Sequence, residues 1–319
     1  MRQWLYRCAR AVATLWIVAM AAWACLEAAP GTPAESAAHA MGVLPEDPGA
    51  LAPELRAKLI QAAARPHGLD RPVHVRFANF AWRIVRLDLG RSYRDGRPVA
   101  ARLARTLSLT AALVLAATGI AYLVGTGVAL GCAAKPGGWI DFVASAVGAL
   151  VIALPVAWLS ILALHSLAGG NPWRFFPPGG GSLASLVLPV GILSCVATAV
   201  VLRHARCALI MTRMQPAAMG ARARGASELR VLLVHALGMA ASSLVGLLAV
   251  LAPYLLGASL VVERAFDLDG LGALLVQASA IHDAPIVLGG TLAMGAFVIT
   301  SSLAADLLAT RVDPRLGDR

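Results

Sequence analysis

Lysine is almost missing from this chain. Only Lys58 and Lys135 occur, and neither sits in a glycine-rich run of the kind that cradles a nucleotide phosphate, which excludes ATP hydrolysis by that route. Charge of either sign is sparse, at 14% of 319 residues, and acidic residues (17) are fewer than basic ones (27). Aromatic residues are scarce too and do not interleave with the basic clusters as platforms for stacked bases, so nucleic acid is not an expected partner. The five cysteines, Cys8, Cys25, Cys132, Cys195 and Cys207, lie in or beside apolar runs and outline no disulfide framework. His67 and His74 are separated by Pro72 and make a poor metal pair, and no set of nucleophile, base and orienting group stands out. No catalytic residue, cofactor or metal ligand is therefore expected.

What fills the chain instead is hydrocarbon. Apolar residues reach 59% and the mean hydropathy is +0.73, which places the protein in a membrane with lipid as its solvent. After a basic start, residues 11–26 form an apolar run that reads either as a signal peptide or as a first transmembrane helix. The anchor is preferred, because Trp23 is a bulky misfit in the Ala22-Trp23-Ala24-Cys25 cleavage pattern. Five longer runs follow, at 107–134, 140–168, 183–202, 237–262 and 286–309, each able to cross about 30 Å of hydrocarbon as a helix. The expected fold is an all-α integral membrane protein with six transmembrane helices. Its parts would be 1–29 (cytosolic start and first helix), 30–106 (extracytoplasmic segment) and 107–319 (five-helix core with a cytosolic loop at 203–236).

Arginine placement sets the orientation. Arg2, Arg7 and Arg10, six arginines from Arg203 to Arg230, and Arg311, Arg315 and Arg319 all fall on one side of a six-span chain, which puts both termini in the cytosol. The arginine-rich stretch 29–105 would lie outside, where long loops escape the rule. It is punctuated by Pro45, Pro48, Pro53, Pro66 and Pro72. Between Val73 and Leu89, Phe77, Phe80, Ala81, Ile84 and Leu87 face one way while Arg76, Asn79, Arg83 and Arg86 face the other. That amphipathic helix can lie in the headgroup layer or pack on the spans.

Inside the spans, Pro155, Pro189 and Pro253 permit kinks, and Gly125, Gly127 and Gly131 permit close helix contact. Ionisable groups are few there. Glu27, Asp141 and Asp306 lie near span ends and His165 toward the close of the third, which disfavours proton or sodium coupling. If transport is active, its energy must come from another polypeptide.

The stretch from Arg203 to Leu251, with a basic polar insertion of about thirty residues between two apolar spans, supplies a port for it. Pro216 can open a helix, Gly225 can end it in a left-handed conformation, and Ser227 can cap a second one with Glu228 in its first turn. Leu229, Leu232, Leu233, Ala236 and Leu237 then recur at helical spacing, giving a hairpin with one apolar stripe and a basic surface. An ordinary solvated loop fits the same pattern.

The run Ala221-Arg222-Ala223-Arg224-Gly225-Ala226-Ser227-Glu228-Leu229 through Leu237 resembles the coupling-loop motif of ABC-importer permeases of the dipeptide/oligopeptide/nickel group, specifically the first permease of the pair. Pro216 and Ala217 stand where that group usually has an acidic-aromatic pair, and Ser242-Ser243 where it usually has Leu-Pro. Further similarities lie in Pro30-Gly31-Thr32-Pro33-Ala34, Gly68-Leu69-Asp70, Asp88 to Val99, Val261 to Gly272, His282 to Val287 and Asp313-Pro314-Arg315. The resemblance implies that Arg222, Arg224, Gly225, Ser227, Glu228 and Leu232 couple the chain to an ATPase. It also implies four partners: a second, homologous permease, two ATP-binding subunits and an extracytoplasmic solute-binding protein. ATP would be bound by the partner subunits and not by this chain. A stand-alone carrier or channel, and a non-transport membrane scaffold, are the alternatives.

Overall fold

A computed structural model describes residues 2–29, 31–45, 47–168 and 183–312. The similarities at Pro30 and at Asp313-Pro314-Arg315, and the stretch 169–182, lie outside the described residues. No strand occurs among those described; the chain is built from helices. Five are long and apolar enough to cross a membrane, and a bent pair brings the number to six when counted as one span. The backbone divides into two compact units, residues 1–109 with 273–297, and residues 110–272 with 298–319.

The first unit contains α1 (Arg2–Glu27), α2 (Pro33–Ala40), α3 (Pro53–Ala64) and α4 (Val73–Val85). The prolines of this stretch open helices rather than only breaking them. Pro33 and Pro53 stand in first turns, where the missing N–H costs nothing, and α2 is closed by a reciprocal capping box between Thr32 and Glu35. Ala38, Leu44 and Ala63 make a small core between α2 and α3. Helix α4 meets α1 through Phe77 and Phe80, whose rings lie 5.1 and 6.2 Å from that of Trp23. The expected apolar face ends early: Leu87 lies beyond the helix at φ +56° and is 84% exposed. A turn at 91–98 is tied down by Asp283, which is buried and accepts hydrogen bonds from the Ser92 hydroxyl and from the Tyr93 amide at 3.2 Å.

Helix α5 (Val99–Ala134) starts eight residues before the apolar run that marks it in the sequence and continues into the second unit. There it is followed by α6 (Trp139–Ala153), α7 (Val156–Ala163) and α8 (Val187–Thr212). After α9 (Pro216–Ala223), α10 (Glu228–Arg230) runs through a π-helical turn, Val231–Ala236, into α11 (Leu237–Ala265). Helices α12 (Leu271–Ala280) and α13 (Ala284–Val312) complete the chain.

The run 140–168 is not one straight span. Its two helices are bent by 98°, because Leu154 takes the extended conformation favoured before proline and Pro155 stands at the start of α7. Pro189 sits in the first turn of α8, while Pro253 is accommodated inside α11 without ending it. Of the three glycines read as contact points, only Gly125 is one among the described residues. A Cβ there would lie 3.0 Å from Val201 and 3.2 Å from the Leu202 amide nitrogen, whereas Gly127 and Gly131 meet nothing within 4 Å. Ala129, Cys132, Leu202, Ala205, Leu209 and Ala240 form the core where α5, α8 and α11 meet.

The spans are less bare than composition implied. Asp141, buried on α6, accepts both guanidinium arms of Arg206 on α8 and the Gly137 amide at 2.8 Å. Glu263, one residue past the apolar run 237–262, lies in the last turn of α11 and is 0% exposed. Its carboxylate accepts from the Thr110 hydroxyl at 2.6 Å and from the Gly272 amide at 2.7 Å, and Thr110 in turn accepts from the Leu271 amide at 2.9 Å.

Candidate functional site

The hairpin between α8 and α11 is organised by backbone chemistry first. Gln215, extended at φ −75° and ψ 155°, precedes Pro216 at the start of α9. The helix ends in a Schellman motif: Gly225 takes φ +85°, its N–H bonds the Arg222 carbonyl at 2.8 Å, and the Ala226 N–H bonds the Ala221 carbonyl at 3.1 Å. Ser227 then caps α10 by accepting from the Arg230 N–H at 3.4 Å. Beneath the elbow, Ala218 and Ala221 of α9 pack on Val231, a three-residue core whose small side chains let the two helices approach.

Side chains then lock the elbow. Arg222 donates bidentately to Glu228, at 2.6 and 3.1 Å, and gives a third hydrogen bond to the Arg213 carbonyl at 2.9 Å. The hydrogen bond to Glu228 raises the Arg222 pKa above its already high value, so the guanidinium stays charged. Arg213 reaches Glu228 at 3.4 Å and also donates to the Ala133 carbonyl at the end of α5. On the other side the Thr212 hydroxyl donates to the Ala236 carbonyl at 3.0 Å, joining the end of α8 to the π-helical turn. The elbow is therefore fastened at three places to the helices that carry it.

The residues singled out in the sequence separate into four groups. Arg222 and Glu228 are brought together as the lock, and Gly225 and Ser227 shape the turn. Arg224 is exposed and makes no ion pair with a described residue, which leaves its charge available. Leu232 belongs elsewhere: it is 3% exposed and packed in the core beside Leu209 and Ala236, so it supports the hairpin from behind and cannot touch a partner. The expected single apolar stripe is split. Leu232 and Ala236 turn inward, while Leu229 is 66% exposed and joins Met214 (70%) and Met219 (58%) as apolar side chains open to a partner. The methionines and Arg213 escaped the sequence reading; Arg213 stands three residues before the helix-opening Pro216, and that adjacency was its only signal.

Residues 121–318 match the family of binding-protein-dependent transport system inner membrane components. The chain belongs to this family and is an ABC-importer permease subunit. A protein of Brucella suis named as a peptide transport system permease is 32% identical to this permease over 98% of both chains. The glutathione transport system permease protein of Salmonella typhi is 29% identical over 86% of this chain and 90% of its own. The oligopeptide transport system permease protein of Bacillus subtilis is 28% identical over 78% and 82%. The permease is thus a multi-pass membrane protein of the peptide-transport group, and the hairpin lies within the matched region. Its second unit also carries a cavity of about 790 Å³ lined by Ile120, Val124, Val147, Val187 and Leu202 among others, with no charged side chain among the described residues of its wall.

Proposed function

We propose that this permease lines the path of a peptide-like solute and is driven through its hairpin by a separate ATPase. The fastened Arg222–Glu228 elbow carries the reading: three hydrogen bonds hold Arg222, while Arg224, Met214, Met219 and Leu229 stand free around it as one cation and three apolar contacts. A rigid body with such a rim suits a cleft in a soluble subunit. Closure of two ATP-binding subunits would push the elbow, and the unbroken course from Glu228 to Ala265 would carry that push across the membrane. A second, homologous permease would complete the path, and the uncharged cavity of the second unit supports such an apolar joint. A solute-binding protein would deliver the solute outside, at the 30–106 segment. This assignment places both termini and the hairpin in the cytosol, and it gives the chain neither a nucleotide site nor enzymatic activity of its own.

Two variants test it in the assembled transporter. Gly225→Pro cannot keep φ +85°, and Arg222→Glu sets two carboxylates against each other at the lock. Both are expected to insert normally, yet to lose at least about tenfold in solute uptake while ATP hydrolysis continues. Wild-type uptake in both would overturn the docking role.

A further inference from the structure

A second feature lies wholly in the first unit. A cleft of about 890 Å³ opens at the Glu27 end of α1, walled by the arginine edge of α4, the turn at 65–71 and the start of α13. Four arginines line it, Arg65, Arg71, Arg76 and Arg83, against two carboxylates, Glu27 and Asp88. Each carboxylate is already engaged, Glu27 by Arg76 and Asp88 by Arg83 at 3.1 Å. Arg65 and Arg71 make no ion pair with a described residue. The Nε of Arg76 is buried without a hydrogen-bond partner, a costly state for a charged donor. Trp23, Phe80, Leu288 and Leu292 add apolar surface to the lining.

We infer that this cleft is a binding site for an anionic phospholipid. The phosphate would sit between Arg65 and Arg71, which make no ion pair with a described residue, while Arg76 and Arg83 add positive charge to the lining. The first methylenes of the acyl chains would lie on the Trp23 and Leu292 wall. The volume falls in the range of small-molecule sites and accommodates a headgroup with its glycerol. A free inorganic anion would leave the apolar wall uncovered. A zwitterionic peptide would need an acceptor for its ammonium group, and both carboxylates of the cleft are taken. The site joins the ends of two membrane-spanning helices, where Trp and Arg commonly meet headgroups.

The test uses the full-length permease in nanodiscs of equal phosphatidylglycerol and phosphatidylcholine, released into mild detergent and weighed by native mass spectrometry. Phosphatidylglycerol is expected to be retained about tenfold over phosphatidylcholine. The Arg65→Ala/Arg71→Ala double variant should bring the two lipids to parity, and Arg65→Lys/Arg71→Lys should keep most of the preference. Equal retention of both lipids by the wild type, or a preference untouched by the alanine pair, would overturn the site. Glycerol phosphate or dialanine displacing the lipid at matched concentration would overturn it in favour of a soluble anion or a peptide. The wild-type competition arms stand even if the alanine pair folds poorly.

Discussion

Glu263 shows how one residue can fix a membrane segment. Its carboxylate is withdrawn from both water and lipid, so its hydrogen-bond partners must replace hydration, and Thr110 and the Gly272 amide are two that do. The glycines around it are there for space: a Cβ on Gly270 would fall 2.2 Å from the Glu263 carboxyl carbon, and one on Gly272 would fall 2.5 Å from the Leu260 Cα. Glu263→Ala, which removes the carboxylate acceptor shared by the Thr110 hydroxyl and the Gly272 N–H, is expected to destabilise by roughly 3 kcal/mol. Glu263→Gln keeps an acceptor and should cost clearly less; equal falls in unfolding midpoint for the two in detergent would contradict this account. His67 gives a pH-dependent counterpart. Burial pushes its imidazole below the ordinary 6.5, with Asp283 opposing and Arg83 assisting, while its ring packs 4.5 Å from Tyr93. The folded state holds this proton less well than the unfolded chain. The contribution is therefore complete above 6.5 and lost as pH falls through the folded value. Protection of the amides across the 65–69 turn, taken relative to their intrinsic exchange at each pH, should fall on acidification from about pH 7 to about pH 5, and His67→Phe, which cannot titrate, should flatten that fall.

At the scale of elements, the hairpin depends on small side chains at its inner face. Ala221 is sealed between Ala218 and Val231, so Ala221→Leu overfills that core by an expected 1–3 kcal/mol, about the usual cost of such a change. The same substitution at the exposed neighbour Ala223 should be silent. Hydrogen exchange over α9 measures the contrast, and equal protection in the two variants would show that the three-residue core does not hold the elbow. The turn chemistry of this hairpin was legible because it is local: Pro216, Gly225 and Ser227 each act on backbone within a few residues. The inward and outward positions were not. Leu229 and Leu232 have the same hydropathy, and only the packing of α8 against Leu232 decides between them. Pro155 and Pro253 make the same point for the spans. Both stand in apolar runs, yet one marks a 98° break and the other lies within a continuous helix. Glu263 was illegible for a different reason: a carboxylate at the end of an apolar run reads as a loop residue, and its partner Thr110 is 153 positions away.

Across the whole molecule, the placement of charge decides what can power transport. A carrier driven by protons must expose an ionisable group alternately to each side, and the carboxylates buried in the spans are committed to fixed partners. Asp141 is clasped by Arg206, and Glu263 is held by Thr110 and Gly272, so releasing either would break several hydrogen bonds at once. Among the described residues, the cavity of the second unit has no charged side chain in its lining. In the function proposed above, energy enters from outside the membrane and the fastened elbow receives the push. In proteoliposomes holding the permease with its second permease, ATP-binding and solute-binding partners, uptake should follow ATP and persist when a protonophore collapses the proton gradient. The permease alone in the same vesicles should move no solute above the leak. Uptake by the permease alone that disappears with the protonophore would mean that one of these held carboxylates cycles its proton after all, and the elbow would lose its role as the inlet for energy.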